Sequence, residues 1–214
     1  VPIPVLLPRL DLCPPSSIAL NGSRVVVVSD TGKVTPALAK KLKAAGSEVL
    51  LSTVSELESK LTEWSSQAPI TGAYFLASVN SDPAWQVDQR EERSRILHTQ
   101  LPALFILARS LPETAFIIAA TRMGGFHGFV NPANPSGGVV SGFIKALHQE
   151  RPSQFLKVID FDLKASAASV AEALMAETLS DPVTCEIGRD NELRYALTLQ
   201  DSPLTPHEAF SLKE

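Results

Sequence analysis

A run of β-branched residues at 24–29 (RVVVVS) opens into the turn and amphipathic stretch DTGKVTPALAKKLKAAG and then into a second apolar run, EVLLS. A buried strand, a tight turn, a helix and another strand in that order close only by a right-handed crossover that lays the strands parallel. The pattern recurs along the chain. Strands are expected at 24–29, 48–52, 70–77, 115–121 and 156–161, each short, apolar and bounded by polar, Gly or Pro residues. Helices are expected at 36–45, 55–65, 86–111, 137–150 and 166–179. Such alternation specifies an α/β fold with a doubly wound, mainly parallel sheet. The end departs from it: segments 183–187 and 193–199, joined by GRDNE, read as a C-terminal β-hairpin.

The 214 residues suffice for one large domain with a real core. With 44% apolar and 20% charged residues and a net charge of -4, the chain lacks the basic excess that nucleic acid or an anionic membrane would favour. No apolar run reaches the roughly 20 residues of a membrane span. A small molecule or a protein is the expected partner. Cys13 and Cys185 stand far apart, outside any CxxC or Cys/His cluster, and no segment resembles a secretory leader, so a reducing, cytoplasmic setting is expected. The opening VPIPVLLPRLDLCPPSS carries five prolines and no helical period. Residues 1–22 therefore read as a linker or a sheet-edge arm, residues 23–201 as the folded unit, and the polar tail 202–214 as a second linker. Beginning at Val1, the chain reads as a piece of something longer.

The turn after the first strand has the layout that cradles a dinucleotide, but its glycines are mostly missing. In such a turn one glycine permits the bend, one admits the pyrophosphate and one brings helix against strand. Here only Gly32 lies inside it. Other reactive-looking residues are dispersed. His98, His127, His148 and His207 show no HxxxH or HxH spacing, and no metal site is expected. His127 stands out, because GGFHGF follows a strand at its carboxyl end, where α/β sheets hold ligands; packing between Phe126 and Phe129 is its plainer role. Asp160 and Asp162, in VIDFD, read as caps of the following segment. Gly137, Gly138 and Gly142 open a helix that packs closely on its neighbours, with Val140, Phe143, Ile144 and Leu147 as its apolar contacts. The helix before it carries Leu97, Leu101, Leu104, Phe105, Leu107 and Ala108, more apolar surface than one face needs, and Pro102 should kink it or start a new segment.

The segments TRMGGFHGF, PSGGVVSGFIKALHQERPSQFLKVIDFD and CEIGRDNELRYALTL resemble the ketoreductase region of type I polyketide synthases and related polyunsaturated fatty acid synthases. That region resembles two short-chain dehydrogenase folds in tandem, a structural subdomain followed by a catalytic one that holds NADPH. The resemblance is to the first, a truncated Rossmann-like unit, and covers nearly the whole chain after the proline arm. It places Val28 at the threonine of the family's T-G-x-x-x-G-x-G turn, with Ser29, Lys33 and Thr35 at its glycines. Thr53 stands where NADPH-dependent members carry an arginine for the ribose phosphate, and Ala77 and Ser78 where they carry alanine-glycine. The register of GFIKAL puts the catalytic tyrosine's position at Ala133 and the lysine's at Gly137, neither of which can replace the lost group. Tyr74 and Tyr195 lie in expected strands without a lysine four residues on, and Lys145 lies two turns past the lysine's position, as surface charge.

The resemblance thus implies no catalytic residue, no bound cofactor and no metal in this chain. NADPH would belong to the intact ketoreductase, and the partners would be the catalytic half and neighbouring synthase domains, including an acyl carrier protein. Two alternatives remain: a divergent NADP-dependent reductase that uses Gly32 and Lys33 for the cofactor and His127 as an acid, and a free-standing docking module that acts in trans.

Overall fold

The computed structural model describes residues 2–79, 90–130, 137–191 and 193–199. Among them, strands β1 (Pro2–Leu6), β2 (Arg24–Val28), β3 (Glu48–Ser52), β4 (Gly72–Ser78), β5 (Phe116–Thr121), β6 (Leu156–Phe161), β7 (Glu186–Asp190) and β8 (Leu193–Leu199) form one sheet. Its order is β1-β8-β7-β6-β5-β4-β2-β3. Strands β2 to β7 run parallel, whereas β8 is antiparallel to β7 and β1 is antiparallel to β8. The helices are α1 (Val34–Ala44), α2 (Leu57–Gln67), α3 (Arg90–Ser110), α4 (Gly137–Glu150) and α5 (Ala167–Leu179). The doubly wound parallel sheet with its closing hairpin is therefore the architecture of the chain.

Both faces of the central sheet are covered, which is why β2 can be valine at four successive positions. Val25 and Val27 pack with Tyr74, Phe116 and Ile118 beneath Leu38 and Leu42 of α1 and Val170 and Leu174 of α5. Val26 and Val28 pack on the opposite face with Phe75, Ile117 and Val158, beneath α2, α3 and α4. From β2 the chain steps to β3 and then returns across β2 to β4. That reversal opens a crevice at the carboxyl ends of β2 and β4, where open α/β sheets bind ligands.

Some expected boundaries move. Strand β7 begins at Glu186 rather than 183, because Asp181 adopts a positive φ of 52° and its side chain accepts the Thr184 N–H at 3.3 Å. At its far end β7 runs through Gly188 and Arg189 to Asp190, which pairs with Leu193, so most of GRDNE is strand rather than loop. Helix α3 continues through Pro102 as one element. Residues 86–89 and the tail 202–214 lie outside the described residues.

The proline-rich start is held at the sheet edge. The Leu7 N–H donates to the Arg194 carbonyl at 3.0 Å, which makes residues 3, 5 and 7 face β8 and turns Pro2 and Pro4 outward. The two outward positions then carry no N–H for another strand to use. Farther on, the Asp181 N–H donates to the Pro14 carbonyl and the Ser16 N–H to the Leu179 carbonyl, both at 2.9 Å, and Leu20 enters the core. Beneath this arm Glu177 is fully buried. It accepts from Lys157 Nζ at 3.2 Å and from Arg194 at 2.7 and 2.8 Å, and Arg189 pairs with the same carboxylate. Arg194 also bridges to Asp181.

Candidate functional site

The first turn of the crossover builds around one carboxylate. Asp30, 6% exposed, follows β2 and points at the head of α1. Its Oδ1 accepts the Thr35 N–H at 2.9 Å and the Thr35 hydroxyl, and its Oδ2 accepts the Gly32 N–H at 3.0 Å. Thr35 Oγ1 in turn accepts the Asp30 N–H at 3.0 Å, and the Ser29 hydroxyl donates to the Asp30 carbonyl at 2.6 Å. Two of the residues at glycine positions, Ser29 and Thr35, thus knit the turn together instead of leaving backbone free for a ligand. A helix N-terminus favours an anion through its unpaired N–H groups and its dipole. Here the anion belongs to the chain. Lys33 is exposed at the N-cap position and its side chain caps nothing.

The other contacts a dinucleotide would use are also altered. Thr53, exposed after β3, donates to Glu56 at 2.9 Å. Lys60, 3.0 Å away, holds that carboxyl below the usual glutamate range, with help from the Thr53 hydroxyl. The stretch after β3 thus presents a threonine and a Glu56–Lys60 ion pair in place of a guanidinium fork. At the end of β4, Ser78 Oγ donates to Gln100 Oε1 at 2.6 Å and Gln100 Nε2 donates to the Ala77 carbonyl at 3.2 Å, closing that side of the crevice. Arg122, beyond β5, donates to the Ala165 carbonyl at 2.9 Å. Burial lowers its guanidinium from the ordinary arginine value, against the opposing pull of Asp30 and Asp162. The residues present do not fit a dinucleotide.

Gly137, which the resemblance sets at the lysine's position, opens α4 directly over the sheet. A Cβ there would lie 2.8 Å from Met123 Cγ and 3.2 Å from Thr121 Cβ, so the space of a longer side chain is already filled. Gly138 and Gly142 behave differently from expectation: a Cβ on either meets nothing within 4 Å, so they face open space rather than packing on the sheet. Ala133 lies outside the described residues, as does His207. Tyr74 is buried in β4, its hydroxyl 2.6 Å from Thr178 Oγ1, and burial pushes the phenol well above its ordinary value. Tyr195 packs against Phe126, the rings tilted by 49° with centroids 4.7 Å apart. Lys145 pairs with Glu186 at 3.0 Å on the surface of α4.

Asp160 takes a role that the sequence pattern did not reveal. Rather than capping the next segment, it turns back: Oδ1 accepts the Thr121 hydroxyl at 2.7 Å and the Met123 N–H at 2.6 Å, and Oδ2 accepts the His127 N–H at 2.9 Å. The cap of α5 is Ser166, whose hydroxyl accepts the Ser169 N–H at 3.1 Å. His127 sits at a positive φ of 51°, with Nε2 3.0 Å from the Ile187 carbonyl and Nδ1 3.3 Å from Ser141 Oγ. The carbonyl only accepts, so Nε2 donates to it, while Nδ1 meets a hydroxyl that can donate or accept. The carboxylate of Asp160 holds the histidine's backbone and not its ring, so Ser141, His127 and Asp160 do not form a nucleophilic relay. Phe126 packs as expected, whereas Phe129 is exposed.

Among the described residues no three His, Cys, Asp or Glu side chains gather to hold a metal ion, and no helix is long and apolar enough to cross a membrane. Cys13 and Cys185 are both free, and burial, with the Glu186 charge, pushes the Cys185 thiol up to about 12.

No protein-family model matches the chain. No curated protein matches it in sequence either. Its structure, however, is similar to many solved ones. A small-chain dehydrogenase superimposes with a TM-score of 0.60 at 14% identity, over 78% of this chain and 97% of that one. A short-chain dehydrogenase/reductase of the glucose/ribitol dehydrogenase type from Brucella melitensis gives 0.61 at 13% identity, over 80% and 97%. A multidomain structure with adenylation, ketoreductase and pseudo Asub parts, from a keto acid-selecting NRPS module, gives 0.67 at 16% identity, over 92% of this chain and 18% of that one. At these identities the likeness is one of fold: the chain has the Rossmann-like fold of the short-chain dehydrogenase/reductases.

Proposed function

We propose that the chain is the structural subdomain of a ketoreductase within a multidomain polyketide or polyunsaturated fatty acid synthase, and that it carries no chemistry of its own. The observation that carries this reading is Gly137. At the position of the catalytic lysine the chain lacks the side chain and has also given its space to Met123 and Thr121. The closed turn around Asp30 and the lack of a guanidinium at Thr53 support it from the cofactor's side. Similarity to a multidomain structure that includes a ketoreductase, over 92% of this chain, is consistent with such a setting.

In this role the chain lends an adjoining catalytic half a rigid wall and fixes its spacing to neighbouring domains such as an acyl carrier. The catalytic half would bind NADPH and reduce a β-ketoacyl thioester to the β-hydroxyacyl product. The face offered to it is α3, where Leu97, Leu101 and Phe105 recur every four residues and are 43%, 40% and 57% exposed.

Fluorescence titration of NADPH separates this reading from a divergent reductase. The expected outcome is no saturable binding to the chain alone and no turnover of a β-ketoacyl thioester. Micromolar binding abolished by Lys33→Glu, or turnover sensitive to His127→Ala, would establish the reductase instead. Mixing with a separately expressed catalytic half should give co-elution in size-exclusion chromatography, and separate peaks would count against the docking role.

A further inference from the structure

We infer that Asp30 is a resident anion: its carboxylate occupies the place at the head of α1 that a phosphate takes in a glycine-rich turn, and so shuts the turn to phosphates by occupancy and by charge. This inference rests on the reading that the chain holds no dinucleotide and says which group enforces it.

Three features of the geometry carry it. First, the donors are those a phosphate would use: the N–H groups of Gly32 and Thr35, at 3.0 and 2.9 Å from the carboxylate, belong to the turn and the first turn of the helix. Second, the residues at the first and third glycine positions, Ser29 and Thr35, contribute hydroxyls that brace Asp30 rather than clear a path to the backbone. Third, Asp30 is 6% exposed, so an incoming phosphate would have to displace a buried carboxylate and not a hydration shell. The field of Asp30 also reaches Arg122 across the crevice, as a bound phosphate's would. A simple helix cap and a resident anion make different demands on experiment. Removing a cap lowers stability and does nothing else, whereas removing a resident anion leaves a site that another anion can fill.

The test is calorimetric titration of inorganic pyrophosphate, at constant ionic strength, into wild type, Asp30→Gly and Asp30→Asn, with thermal melts of each in pyrophosphate and in matched sodium chloride. The wild type should show no saturable heat and no pyrophosphate-specific shift in Tm. Asp30→Gly should bind at least tenfold more tightly than wild type and recover part of its lost Tm in pyrophosphate alone. Asp30→Asn removes the charge while keeping an acceptor oxygen, preserves the fold if glycine does not, and should bind more tightly than wild type. Variants that lose stability yet bind no better than wild type would reduce Asp30 to a cap and overturn the inference. Wild type binding pyrophosphate as tightly as the variants would overturn it too. Neither result decides the functional reading, which is tested by NADPH binding to wild type, by turnover and by co-elution with the catalytic half.

Discussion

Asp160 shows how a buried charge can organise a loop without taking part in chemistry. It is wholly buried at the end of β6, where an isolated carboxylate would be costly, yet its oxygens accept from one hydroxyl and two backbone N–H groups of the segment after β5. Asp160→Ala strands those three donors and should cost about 3 kcal/mol, as buried unsatisfied groups do. Asp160→Asn, which keeps acceptor capacity, should cost less than half of that. Urea denaturation of the two variants checks the ranking, and equal losses would show that the loop finds other partners. The sequence held a hint in VIDFD, since a carboxylate inside a strand buried at every position must face a donor. It could not say which donor, because Thr121 and His127 lie more than thirty residues earlier. Gly137 was legible in the opposite way: the resemblance fixed its position, and the structure added that Met123 fills its space.

At the scale of elements, regular pieces were readable from pattern and irregular joins were not. Strands β3, β6 and β8 and helix α4 run between the residues that apolar periodicity assigned to them. Strand β7 begins three residues later than the strand-forming Val183 suggests, because Val183 is 77% exposed on the turn set by Asp181. Gly188, which reads as a turn residue, is kept in β7 because a Cβ there would overlap the Gly125 carbonyl oxygen of the loop above. The clasp that ties α5 to β6, β7 and β8 was not readable at all, since Lys157, Glu177, Arg189 and Arg194 look like surface charges until the fold brings them together. Breaking it on one side leaves a buried charge uncompensated. Arg194→Met should therefore cost about 3–5 kcal/mol in chemical denaturation. The clasp also has a pH signature. Burial alone would raise the Glu177 carboxyl, but Arg194, Lys157 and Arg189 outweigh it and hold the group below its usual value. Below the unfolded carboxylate value the unfolded chain binds the proton first, so this contribution is present at neutral pH and declines as pH falls towards the folded value. The stability gap between wild type and Glu177→Gln should accordingly be widest at neutral pH and narrow on acidification, in melts recorded at stepped pH. A constant gap would mean that the carboxylate's charge is not what the clasp uses.

Across the whole molecule, two kinds of surface differ in how they are finished. The β1 edge is blunted, because Pro2 and Pro4 remove outward donors from the last strand of the sheet. Restoring a donor with Pro4→Val should raise self-association by sheet extension, visible as concentration-dependent growth in sedimentation velocity; a variant that stays as dispersed as wild type would show that the edge is protected by other means. The α3 flank is unfinished by the same standard. Leu104 and Leu107 are buried against the sheet, while Leu97, Leu101 and Phe105 line the outward side, and Gly138 and Gly142 on neighbouring α4 leave room above their backbone. Exposed apolar side chains contribute little to the isolated fold, whereas burying leucine and phenylalanine at an interface contributes about 1.5–3 kcal/mol each. Leu101→Glu with Phe105→Glu should thus leave Tm within about 2 °C of wild type, as surface substitutions do, yet weaken binding to the proposed catalytic half at least a hundredfold by calorimetry. If the doubly substituted chain bound as wild type does, the catalytic half would rest on another face, and α3 would have no part in holding it.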